Sequence, residues 1–159
     1  MVLSDDWLEV PKRYRTRAAY ACAFAVMALV AVASVSLIAA FIEVVTKPYS
    51  ILPWLEGELP GFLEATALGA AASGLAAFFC WPGRGPRTRK RMIVAGLAVV
   101  ACTFAVLGAV EIAPRHASSW TEWVSITTQV ALLGPLMMLG LPFPVAVAVS
   151  IAFADPASP

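Results

Sequence analysis

Residues 18–42, 65–83, 92–110 and 123–154 form four long apolar stretches without a single charged side chain. A helix needs about 18–20 apolar residues to cross a hydrocarbon core of about 30 Å, and each stretch reaches that length. The charges between them are sorted by sign. Lys12, Arg13, Arg15 and Arg17 precede the first stretch, and Arg84, Arg87, Arg89, Lys90 and Arg91 separate the second from the third. The alternate segments carry just Lys47 and Arg115, so nine basic residues stand on one side against two on the other. By the positive-inside rule this pattern predicts four crossings with both termini in the cytoplasm.

The expected fold class is all-α, an integral membrane protein with four transmembrane helices in an antiparallel bundle, because a helix satisfies its own backbone hydrogen bonds in lipid. A water-soluble core is excluded by the length of the apolar runs. The domain reading is a cytoplasmic tail at 1–17, one transmembrane domain at 18–154 and a short tail at 155–159. The spans fall at about 18–43, 62–82, 92–111 and 123–143, and an apolar segment at 144–154 is expected along the interface. The net charge of +1 conceals a dipole. The predicted cytoplasmic segments sum to +5 and the outer segments to −4. The basic residues have a sufficient cause in topology and contact with lipid headgroups, so nucleic acid is not an expected partner. The first stretch is too long for a signal-peptide core and is expected to remain as an anchor. A bacterial-type inner (plasma) membrane is the expected location.

Span two carries the clearest packing signal. Gly69 and Ser73 are four residues apart, as are Ala70 and Gly74, and small residues at that spacing let helix backbones approach closely. The sequence 82–86, Pro-Gly-Arg-Gly-Pro, reads as a tight turn that pairs spans two and three. The loop at 47–60 holds Tyr49, Trp54 and two prolines, an interfacial composition. Span four is anomalous. Its 32 uncharged residues would measure about 48 Å as one helix. Pro135, Pro142 and Pro144 interrupt it, and the expected break is at 142–144.

Glu43, Glu64 and Glu111 are the sharpest candidates for chemistry, as possible ion or partner contacts. All three end spans on the predicted outer side, where carboxylates could collect a cation, relay protons or pair with Arg115 or Lys47. Simple span termination explains them equally well. His116 is the single histidine and the three cysteines form no Cys-x-x-Cys pair, so no metal site and no cofactor are expected. Nucleophile elbows, phosphate loops and dinucleotide fingerprints are missing, and no catalytic residue is assigned.

The segment Pro53-Trp54-Leu55-Glu56-Gly57-Glu58-Leu59, following the first of four spans, resembles the small membrane subunit of tripartite ATP-independent periplasmic transporters. The likeness covers the topology and these seven residues. The acidic pair is split here and the basic residue usual just upstream is missing. The resemblance implies a membrane subunit of a solute transporter. The residues themselves imply a small non-catalytic subunit that packs among other integral membrane subunits of an inner-membrane complex, its Ala- and Gly-rich helices suited to close contact. A small homo-oligomeric channel is the alternative.

Overall fold

The computed structural model describes residues 15–46, 51–83, 86–138 and 140–155; side chains are described throughout these except at 35–36, 39–40, 43–44, 51–60, 62 and 137. The described residues form helices and turns with no strand. In order these are α1 (Arg17–Thr46), α2 (Ile51–Cys80), α3 (Arg89–Leu107), a π-helical segment (Gly108–Ile112), α4 (Ala113–His116), α5 (Trp120–Met137) and α6 (Pro142–Ala152). Three segments are long and apolar enough to cross a membrane: Arg17–Ser34, Leu63–Cys80 and Arg89–His116. The chain is a helical membrane protein.

α1 packs along α2, α2 along α3, and α3 carries both α5 and α6. Small residues set these distances. A Cβ on Gly74 would stand 3.3 Å from that of Ala25, and the Ser73 hydroxyl donates to the Phe24 carbonyl at 3.3 Å. Gly69 faces Val32 further along, and Ala70 is buried. Gly69, Ser73 and Gly74 of span two therefore face α1. The seam between α3 and its partners is tighter. A Cβ on Gly96 would fall 2.9 Å from the Ala146 carbonyl oxygen and into the Ser150 hydroxyl. A Cβ on Gly134 would overlap the Phe104 ring, and one on Gly108 would lie 3.0 Å from Val130. Without a hydrophobic force between helices in lipid, such close packing is what holds them together.

Three boundaries differ from expectation. α2 begins at Ile51, well ahead of the expected start near 62. Pro53 sits in its first turn, where a missing N–H costs nothing. α3 does not stop at the expected outer loop. Its ladder widens over Gly108–Ile112, where the Ala113 amide reaches back to the Gly108 carbonyl, and continues to His116. Pro114 explains the widening: its ring crowds the carbonyl four residues earlier, and a π turn makes room.

The third difference concerns the last apolar stretch. The chain turns at 138–141, ahead of the expected break at 142–144, and Gly140 adopts φ +68° there. This left-handed conformation is open to glycine without steric cost. Pro142 starts a helix where it was expected to end one, since its fixed φ suits a first helical position. The segment expected at the interface instead folds as α6 against α3, with Ala146 and Ser150 buried. Pro135 lies within α5, which continues through it to Met137.

Candidate functional site

Two places concentrate unusual geometry: the basic end of the bundle and the break between α5 and α6.

At the basic end, residues from distant parts of the chain meet. Tyr20 of α1 is fully buried, and its hydroxyl lies 3.0 Å from the Ser150 hydroxyl of α6. Phe24, Trp81 and Phe153 surround its ring, with centroids at 4.8, 5.1 and 5.4 Å. The Phe24 and Phe153 contacts are edge-to-face, the favoured aromatic arrangement. Above this cluster Asp155 joins two arginines. Its Oδ1 lies 3.8 Å from Arg15 Nη1 and 3.6 Å from Arg87 Nη2. The Arg87 amide donates to Asp155 Oδ2 at 3.0 Å, and the Asp155 amide donates to the Arg87 carbonyl at 2.9 Å. Arg15, whose side chain is 3% exposed, donates to the Ala154 carbonyl at 2.7 Å, and Arg87 Nη1 donates to the Arg15 carbonyl at 2.8 Å. Arg17 donates to the Phe78 carbonyl and lies over the Phe78 ring, 3.7 Å from its centroid. Arg87 also stands over Trp81 at 5.5 Å, within cation–π range. The start of α1, the turn between α2 and α3, and the end of α6 are thus fastened by one clasp.

The break between α5 and α6 lies beside the middle of α3. Gly134 touches Phe104, while Ala146 and Ser150 touch Gly96. The turn at 138–141 is therefore level with the region near Val100, the middle of the apolar run of α3. Its hydrogen bonding is economical. The Phe143 and Val145 amides donate to the Gly140 and Leu141 carbonyls, and Pro142 and Pro144 have no amide hydrogen to leave unpaired. The Leu141 amide donates to the Met138 carbonyl at 3.1 Å, a three-residue turn bond in place of a helical one. Beside the break, Leu136 and Leu141 are 59% and 56% exposed. One buried hydroxyl on α5, Thr127 Oγ1, has no hydrogen-bond partner among the described residues.

The three glutamates do not form a described cluster. The side chain of Glu43 lies outside the described residues, Glu64 is exposed on α2, and Glu111 pairs with Arg115 four residues on in the same helical run. Glu56 and Glu58 likewise lie outside the described side chains. Past His116 the chain is held locally. Ser119 caps α5 by accepting from the Glu122 amide at 3.3 Å. The Ser118 hydroxyl and amide both donate to the Glu122 carboxylate, at 2.6 and 2.7 Å, and hold it below the ordinary carboxylate range. Trp120 and Trp123 stack beside them with centroids 5.0 Å apart. Among the described residues no three His, Cys, Asp or Glu side chains gather as metal ligands.

In the sequence Arg15, Arg17 and Arg87 read as topology and headgroup contacts, and Asp155 as one charge in the balance. Their fold-closing contacts had no local signature. The Ser119-x-x-Glu122 spacing, by contrast, is a capping pattern visible in the sequence. Comparison with known protein families, with characterised proteins and with solved structures found no match to this chain.

Proposed function

We propose that this chain is a small, non-catalytic membrane subunit that packs within a larger inner-membrane complex. In this reading the chain crosses four times in an antiparallel bundle, α5 and α6 together making the fourth crossing. The basic end and both termini face the cytoplasm. The uncovered break between α5 and α6 carries the proposal. Hydrocarbon offers no hydrogen bonds, so irregular backbone at membrane depth persists where protein covers it or a water-filled cavity reaches it. Here the break lies beside the middle of the apolar run of α3, the Leu141 amide makes a turn bond to Met138 in place of a helical one, and Leu136 and Leu141 are more than half exposed. A neighbouring subunit laid over this face supplies the cover. The direct test is purification from native membranes in mild detergent followed by native mass determination. Stoichiometric partner chains are expected. A monomer that accounts for all of the protein in the native membrane overturns the proposal.

A second reading, a transport subunit or homo-oligomeric channel, is favoured by the same break. Discontinuous helices in transporters expose backbone carbonyls to substrate or coupling ion. Glu43, Glu64 and Glu111 would then serve the pathway. Replacing all three by glutamine abolishes flux in reconstituted vesicles on this reading; unchanged flux removes it.

A further inference from the structure

The first turn of α3 has a charge problem that the described fold leaves open. Arg89, Lys90 and Arg91 crowd the helix N-terminus, and no acidic residue lies in that turn. The N-terminus is the positive pole of the helix, so three cations there repel both one another and the helix dipole. Among the described residues the other arginines of the basic end are provided for. Arg15 and Arg87 share Asp155, and Arg17 rests on Phe78. Arg91 reaches a single neutral acceptor, the Pro86 carbonyl at 3.3 Å. Among the described residues Arg89 and Lys90 have no hydrogen-bonding or ionic partner. An external anion is what this turn lacks.

A groove begins at the same turn. It occupies about 440 Å³ between the end of α2 and the start of α3, and Cys80, Pro82, Lys90, Arg91, Val94 and Ala98 line it. Its two cations sit together at one end. From there the wall is apolar: Val94 and Ala98 follow Lys90 at successive i+4 positions on one stripe of α3. That stripe descends about 12 Å from Lys90 to Ala98 at 1.5 Å per residue. Cys80, Pro82, Ala95 and Ala98 add no charge to its lining, and the groove is shallow and open to the surroundings. A cationic mouth above an open apolar track matches a molecule with an anionic head and a hydrocarbon tail. A free phosphate would satisfy the mouth and leave the track empty.

We propose that this groove is a binding site for an anionic phospholipid, its phosphate held by Lys90 and Arg91 and one acyl chain lying along Val94 and Ala98. Basic pockets between transmembrane helices suit anionic headgroups, and Thr88 already caps the Arg91 amide, so the Lys90 and Arg91 side chains are what the phosphate meets. The site needs a membrane around the chain and does not depend on which partner covers the break.

The test uses the full chain, purified in mild detergent and delipidated. Thermal stabilisation and native mass adducts are measured with phosphatidylglycerol, phosphatidylcholine and inorganic phosphate. Phosphatidylglycerol is expected to stabilise and to be retained as one discrete adduct, with phosphatidylcholine and phosphate far weaker. The double variant K90Q/R91Q is expected to lower phosphatidylglycerol affinity roughly thirty-fold, since each near-surface charge is worth roughly a factor of five. Val94→Trp fills the track at a position already 66% exposed, so the core is undisturbed while the discrete adduct is lost with both charges intact. Equal stabilisation by inorganic phosphate overturns the proposal in favour of a soluble anion. Equal retention of phosphatidylcholine, or retention unchanged in either variant, overturns it in favour of charges that set topology alone.

Discussion

The two ends of the bundle are held by different kinds of interaction. At the basic end the bonds join distant residues: Arg15 to Ala154 across 139 positions, Tyr20 to Ser150 across 130, Arg87 to Arg15 across 72. From the π-helical segment to the start of α5 the described side-chain bonds are local. Glu111 pairs with Arg115, and Ser118 with Glu122, each four positions apart. A local pair steadies one helix or one loop. A long-range pair closes the loop entropy of the whole chain and fixes which helices are neighbours. Positive charges that flank membrane spans are therefore not all alike in this protein. Arg15 and Arg87 tie the first described residues of the bundle to its last.

That contrast orders the effects of substitution, measured by unfolding in mild detergent. Removing Asp155 by D155A takes a carboxylate from the buried Arg15, which keeps its bond to the Ala154 carbonyl, and should cost roughly 2–3 kcal/mol, below the full value for a buried pair because Asp155 is itself one-third exposed. A loss no larger than that of a local surface pair would erase the distinction between the ends. Gly96→Ala drives a methyl into Ser150 and the Ala146 carbonyl, and the backbone oxygen cannot step aside. About 1–3 kcal/mol of overpacking is expected, with α6 loosened from α3 and faster amide exchange in α6. Tyr20→Phe keeps the ring cluster and deletes the bond to Ser150, a loss of about 1 kcal/mol. Glu111→Gln at the other end should cost about 0.3 kcal/mol, a typical value for a helical i,i+4 pair.

The smallest effect is acid-dependent. The Glu122 carboxylate is held below its ordinary range by the Ser118 hydroxyl and amide. Its contribution is therefore fully present above the ordinary carboxylate range and disappears as pH falls through the lowered value. Amide protection at Ser118 should fall at acid pH while protection in the Tyr20 cluster holds. Simultaneous loss at both places would mean that the ends are not independent.

How much of this was legible in the sequence follows from the range of each interaction. Long uncharged runs declare themselves without context, and three of them appear as helices long and apolar enough to cross a membrane. The Gly69/Ser73 and Ala70/Gly74 spacing pointed to close helix packing without naming the partner, because small residues at i, i+4 act on one helix face. The tighter seam of Gly96 and Gly108 was not recognised, since their partners Ser150 and Thr127 lie elsewhere in the chain. The break in the last apolar stretch was expected a few residues late because proline both ends and begins helices. Pro142 begins one, and Gly140 makes the turn. The clasp was invisible for the plainest reason: Arg15 and Asp155 stand at opposite ends of the sequence, and each has an adequate separate explanation.

The central claim is that another protein covers the break between α5 and α6. The most direct measurement places a photocrosslinking amino acid at Leu141 and irradiates native membranes. The account predicts a discrete crosslink to a partner chain or to a second copy, identified by mass spectrometry. Crosslinks to lipid alone, in membranes where the protein is intact and folded, would contradict it.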